Sequence, residues 1–227
     1  QLGLPVEKAL KIATIQAAHC YGLSRLGAIA PGYQADFTVL DNLEDLNVLE
    51  VYHKGRKIHA ESHGNIPPCP PDLKHTVHLE HFSQEQLILP HPGGKAHVLR
   101  MIGGQIVTED LREEVPFQET ENGTIFIPTG GYLKIAAVER HKNTGKTGVG
   151  IVKGFEIKGG AIASSVSHDS HNLIVIGDND RDMYLAVQEL MRTQGGYTLV
   201  ENGKVYETLP LPVMGLISDA GYEKVNG

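Results

Sequence analysis

Cysteine is scarce. Only Cys20 and Cys69 occur in 227 residues, far apart and in unlike surroundings. No disulfide framework, Cys-x-x-Cys redox motif or zinc finger fits that spacing, and a reducing, cytoplasmic setting is expected. Basic clusters are missing too. Twenty Lys and Arg stand against 27 Asp and Glu, a formal net charge of −7, and the cations are scattered. A nucleic-acid partner is therefore not expected, because phosphate contacts need a basic surface. No run approaches the ~18 apolar residues of a membrane span, and the N-terminus lacks the basic-then-apolar layout of a signal peptide. No membrane association is expected. Neither an internal repeat nor a low-complexity tract is present. A start at Gln1 rather than Met reads as the mark of a removed upstream segment. What is there suits a folded protein. With 41% apolar and 21% charged residues, the chain can form one large domain or two modest ones.

Pro5 suits a first helical turn and Glu7 adds a favourable charge there, so a helix is expected over 5–20. Val6, Ala9, Leu10, Ala13, Ala17 and Ala18 supply its apolar spacing. Residues 37–40 read as a strand, and 48–52 with 56–59 as a hairpin about Lys54-Gly55. Four prolines fall within 61–72, and 61–94 reads as a connector. Short strands are expected inside it at 75–79 and 86–89. His75, His78 and His81 recur every three residues, but on a strand they share no common face, so a metal stripe is not expected. Further on, 96–102 and 105–108 read as a hairpin split by Gly103-Gly104. Strands follow at 124–128 and 133–139, and 145–155 is a glycine-rich strand segment. Asn179 caps a helix whose buried stripe is Met183, Ala186, Val187, Leu190 and Met191. Gly195-Gly196 closes it, and a hairpin through Asn202-Gly203 comes next.

The residues fit for chemistry concentrate between Gly159 and Asp180. Ser167-His-Asp-Ser-His-Asn172 places two histidines, an aspartate, an asparagine and two hydroxyls directly before an apolar run, 173–176, that reads as a buried strand. Polar side chains at the mouth of a buried strand suit a binding or catalytic site. The plainer alternative is a polar turn whose Asp and Asn side chains bond nearby backbone. His168, Asp169 and His171 also offer three metal ligands within four residues, with His141 as a fourth. Glu139-Arg140-His141 is a lesser candidate set. A cytidine-deaminase zinc site is not expected, since Pro-Cys-x-x-Cys is absent.

Two groups of motifs carry a resemblance. Ala13-Thr-Ile-Gln-Ala-Ala18, Gly27-Ala-Ile-Ala-Pro-Gly32 and Ala35-Asp-Phe-Thr-Val-Leu-Asp41 resemble the exit from the barrel of an amidohydrolase-superfamily enzyme, with Gln16 where Asn is usual. Val138-Glu-Arg-His141, Gly148-Val-Gly-Ile-Val-Lys-Gly-Phe155, Gly160-Ala-Ile-Ala-Ser164, the Ser167–Asn172 stretch and Leu209-Pro-Leu-Pro-Val-Met-Gly-Leu-Ile-Ser-Asp219 resemble the C-terminal domain of the bacterial adenine deaminases.

The resemblance implies an α+β fold. Residues 1–60 would be the last barrel helix and a β-sandwich segment, 61–94 a connector, and 95–227 a C-terminal α+β sheet domain. It implies hydrolysis of adenine to hypoxanthine and ammonia in purine salvage, by a metal-activated hydroxide, with iron or manganese in the parent enzyme. Ligands in such enzymes come from the barrel and include a His-x-His pair, which this chain lacks. The chain is thus expected to bind no metal and to be inactive alone. Its implied partners are adenine, the missing N-terminal barrel portion and further copies in a homo-oligomer. His168 and Asp169 are the expected catalytic residues, and Ser167, Ser170, His171 and Asn172 the expected pocket lining. The alternative is a non-catalytic capping or dimerisation module of another amidohydrolase.

Overall fold

Strands outnumber helices throughout. The computed structural model describes residues 3–59 and 68–226, and the chain divides into two units, Gln1–Pro68 and Cys69–Gly227.

In the first unit the expected helix is one helical run in three parts: α1 (Val6–Lys11), a π-helical turn (Ile12–Gln16) and α2 (Ala17–Cys20). Gly22, at φ +69°, ends it. Gly27 passes so near that an added Cβ would lie 2.8 Å from the Ile15 Cα. Strands β1 (Phe37–Leu40), β2 (Val48–His53) and β3 (Arg56–Ile58) form an antiparallel sheet. Lys54 and Gly55 make its expected tight turn, both at positive φ, and the Asp36 carboxylate accepts from the Lys54 N–H at 2.7 Å. Among the described residues of this unit only Ala18 is fully buried. Ile29 and Leu49 stand 85% and 63% exposed, so the unit has almost no core of its own.

The second unit is built on an eight-stranded sheet. Its strands are β4 (Lys95–Met101), β5 (Thr108–Glu114), β8 (Tyr132–Val138), β9 (Thr147–Lys153), β10 (Gly160–Ser164), β11 (Leu173–Gly177), β12 (Gly196–Glu201) and β13 (Lys204–Pro210). They lie in the order β13-β12-β10-β11-β8-β9-β4-β5. Every pairing is antiparallel except β4 with β9. A separate hairpin joins β6 (Phe117–Thr120) to β7 (Gly123–Phe126). Helix α3 (Asp180–Thr193) covers one face, and a short helix, α4 (Tyr222–Asn226), lies near the end.

The α3 boundaries follow from local chemistry. Asn179 accepts the Asp182 N–H at 2.8 Å, and Asp180 and Asp182 sit favourably in the first turn. Gln194 adopts a left-handed conformation and stops the helix. Met183, Ala186, Val187 and Leu190 pack on Ala136, Val138, Ala161, Ala163, Leu173, Val175 and Val200. The opposite face leaves Ile162, Tyr197 and Leu199 about two-fifths exposed, at 38%, 44% and 40%.

Residues 69–94 carry four members of that core: Val77, Leu79, Phe82 and Leu87. Their apolar side chains pack although no strand forms there. Where a strand is expected at 86–89, a 3-10 turn (Gln84–Leu87) stands, started by a Ser83–Gln86 capping box. Residues 75–79 are irregular. The β4–β5 hairpin is present but its loop is longer than expected. β5 begins at Thr108, where the sequence pattern places the strand's end, and its run Thr-Glu-Asp-Leu-Arg-Glu-Glu is charged because it forms the sheet edge. β7 falls where a strand is expected at 124–128, ending two residues earlier, whereas its partner β6 has no sequence signal. All four β6 residues are exposed, so no alternation marks them.

Gly196 opens β12 at φ +135°, and an added Cβ would meet the Leu209 carbonyl oxygen at 2.0 Å. Backbone strain and overlap with a strand carbonyl together predict that Gly196→Ala destabilises the chain by roughly 3–5 kcal/mol. Urea unfolding checks this; an unchanged midpoint would contradict it.

Candidate functional site

The loop 165–172 links β10 to β11. Leu173 lies opposite Val138 and Val138 opposite Thr147, so the turn 139–146 sits beside that loop at one end of the sheet.

The loop fixes itself through short-range bonds. The Ser167 carbonyl accepts the His171 N–H at 2.7 Å, and the Ser167 hydroxyl donates to the Asn172 carbonyl. The Asn172 N–H donates to the Ser170 hydroxyl oxygen at 3.3 Å. Ser165 is fully buried. Its hydroxyl donates to the Gly215 carbonyl at 2.6 Å and accepts the Gly196 N–H at 2.8 Å, which ties the loop to two other segments.

His168 and Asp169 point the other way. They are 81% and 104% exposed, with Nδ1 and Oδ1 3.5 Å apart. The His168 ring tilts against that of His171, centroids 4.9 Å apart. Of the expected lining residues, Ser167 and Ser170 bond the loop backbone. His171 Nδ1 and Asn172 Oδ1 are buried atoms without a bonding partner, as are Asn143 Oδ1 in the 139–146 turn and Thr147 Oγ1 at the start of β9. Such clustered unpartnered polar atoms are unusual and mark this end of the sheet.

The Glu139-Arg140-His141 run turns out to be the loop's support. Arg140 is 1% exposed. Its Nε–H donates to the His171 carbonyl at 2.6 Å, Nη1 to the Thr76 carbonyl at 2.9 Å, and Nη2 to the Met214 carbonyl at 3.0 Å. Burial pushes its pKa down, but a guanidinium stays charged, so three carbonyl dipoles solvate it in place of water. His141 Nε2–H donates to the Ser170 carbonyl at 3.0 Å; a carbonyl only accepts, which assigns the proton to Nε2. The sequence shows Arg140 only as one of three charged residues after a strand. Complete burial of an arginine leaves no periodic signal.

Partial burial raises the Glu139 carboxyl. The N–H groups of Lys142, Thr144 and His141, with the Thr144 hydroxyl, outweigh it and bring the pKa from 4.5 to about 2. A carboxyl depressed in the folded state contributes stability above its unfolded pKa and loses it as pH falls through the folded value. The chain is therefore expected to lose stability steadily between pH 4.5 and about 2, with Glu139→Gln flattening that slope. Urea titrations across this window check it, and an equally steep slope in the variant would contradict it.

Among the described residues no group of three or more His, Cys, Asp or Glu is arranged to hold a metal ion. The alternative of a local centre at His168, Asp169, His171 and His141 has no support in this geometry, since His141 Nε2 already faces a carbonyl. Among the same residues no helix is long and apolar enough to cross a membrane.

Comparison with known proteins agrees with the two groups of motifs. Residues 1–58 match the Amidohydrolase family. A protein named Adenine deaminase from Desulfitobacterium hafniense (strain Y51) is 51% identical over 224 residues, covering 99% of this chain and 39% of that protein. Its namesake from Nitratidesulfovibrio vulgaris (strain DP4) is 43% identical, covering 96% of this chain and 38% of its own length. Another, from Petrotoga mobilis (strain DSM 10674 / SJ95), is 40% identical, with 100% and 40% covered. The chain thus spans 39% of the length of the first of these relatives. Residues 105–227, more than half of the chain, match the family described as Adenine deaminase C-terminal domain, and the chain belongs to that family.

Proposed function

We propose that this chain is the C-terminal portion of an enzyme that hydrolyses adenine to hypoxanthine and ammonia in cytoplasmic purine salvage. The observation that carries the proposal is the bare presentation of His168 and Asp169. Both are exposed on a loop whose backbone is held from behind by Arg140, His141 and Ser165. A stable loop that offers an imidazole and a carboxylate to solvent suits contact with a substrate carried by another part of the protein.

In this reading residues 1–60 are the last barrel helix and sandwich segment, 61–94 leads onward, and 95–227 is the C-terminal domain. The near-absence of a core around Ala18 supports packing of the first segment against upstream structure. Iron or manganese would belong to that upstream portion and supply activated water. His168 would move a proton to the departing amine, Asp169 would orient the imidazole, and His171 and Asn172 would line the pocket beside them. Ser167 and Ser170 would shape the lining from within the loop. Two free thiols, Cys20 and Cys69, fit a reducing compartment.

A second reading, an assembly module within a homo-oligomer, is favoured by the open sheet face bearing Ile162, Tyr197 and Leu199. Ammonia release from adenine separates the two. The protein extended upstream to the length of its relatives, supplied with iron(II) or manganese(II), is expected to deaminate adenine and to lose most activity on His168→Ala. Full activity in a folded His168→Ala variant would favour the assembly reading, and no activity on adenine in the wild type would overturn the substrate.

A further inference from the structure

We infer that His141 and Arg140 are positioning residues for this loop. Together they fix two consecutive carbonyls, those of Ser170 and His171, and so set where His168 and Asp169 stand. The inference rests on the proposed active-site role of the loop.

Three observations carry it. His141 Nε2–H donates to the Ser170 carbonyl at 3.0 Å, and Arg140 Nε–H donates to the next carbonyl, His171, at 2.6 Å. Both donors come from adjacent residues in one turn, and Glu139 braces that turn by accepting three N–H groups. The third observation is what His141 does not do. Its side chain is exposed and makes no contribution to the buried core, so its bond to the loop is not an incidental result of packing. Arg140 holds the loop against Thr76 and Met214 from inside; His141 holds it from the solvent side. Two anchors on neighbouring carbonyls restrain rotation of the peptide between them, which a single anchor cannot do. Misplacement of a reacting group by an ångström is costly in rate and cheap in binding.

His141 is the residue to test, because its loss should leave the fold intact. In the upstream-extended, metal-supplied protein, His141→Phe is expected to lower kcat for adenine roughly tenfold, the worth of one hydrogen bond that holds reacting groups. KM should change little and the melting temperature should hold. His141→Gln, whose Nε2–H₂ can reach the same carbonyl, should restore most of the rate. Loss of rate in both variants alike would overturn the assigned hydrogen bond. Wild-type kcat in His141→Phe beside an impaired His168→Ala would overturn the positioning role and leave the proposed function standing. Wild-type kcat in both His141→Phe and His168→Ala would overturn the loop's active-site role and this inference with it.

Discussion

Replacing His168 with alanine in the upstream-extended protein is expected to lower the rate of ammonia release from adenine about a hundredfold or more, the range for a positioned general acid. The size of the effect rests on what the imidazole touches. It is 81% exposed, and its neighbours on the loop are Asp169 at 3.5 Å and the His171 ring. Its removal leaves no buried partner unsatisfied, so stability should stay within about 0.5 kcal/mol of wild type. The size of that loss, without a stability loss, separates His168 from the roughly tenfold effect expected of a residue that only positions the loop. Asp169→Asn should cost less, about tenfold, because it alters the orientation of the imidazole and leaves the proton carrier in place. A His168→Ala enzyme as fast as wild type would make the loop a structural turn.

Arg140→Met should do the opposite. It is expected to destabilise the chain by roughly 3–5 kcal/mol, enough to unfold a marginal domain. Methionine matches the length of the arginine stem but offers no donor. The Thr76, His171 and Met214 carbonyls would then lie buried without their partner, at about 1–3 kcal/mol each. Relief from burying a cation offsets part of this cost, which is why the sum stays below the arithmetic maximum. Arg140→Lys should recover little, since a single ammonium cannot span three carbonyls spread around a planar fork. Gly215 sets a further limit: an added Cβ there would lie 2.9 Å from Arg140 Nη1, so the pocket fits the guanidinium closely. A urea midpoint near wild type for Arg140→Met would show that the carbonyls find other donors.

Much of the second unit was legible from its residues. Asn179 announced α3, the spacing of Met183, Ala186, Val187 and Leu190 announced its buried face, and Asn202-Gly203 announced the β12–β13 turn. These signals are local: a cap, a period of 3.6 and a turn that needs positive φ. The losses are of two kinds. β6 is exposed at all four positions, so burial imposed no alternating pattern on it, and the half-buried alternate positions of β5 are Glu109, Leu111 and Glu113, two of them charged. Val77, Leu79, Phe82 and Leu87 are the reverse case, a core contribution from apolar residues that read as short strands but pack from irregular chain and a 3-10 turn. At the candidate site, the Ser167–Asn172 cluster stood out by composition. The division of labour inside it did not. That Ser167 and Ser170 bond the loop, while His168 and Asp169 face outward, depends on backbone direction. Arg140 was visible only as a charge, and its burial depends on Thr76 and Met214, which are 64 and 74 residues away.

The single parallel seam in the sheet has a consequence for how the chain is made. Val98 on β4 pairs beside Ile151 on β9, 53 positions further along the chain. Synthesis at about 5–20 residues per second leaves β4 waiting roughly 3–10 s for its neighbour, although the β4–β5 hairpin itself closes in microseconds. During that interval β4 is an open strand edge carrying Val98, a side chain wholly buried once the seam forms. On the ribosome, this hairpin is the part of the unit most in need of protection.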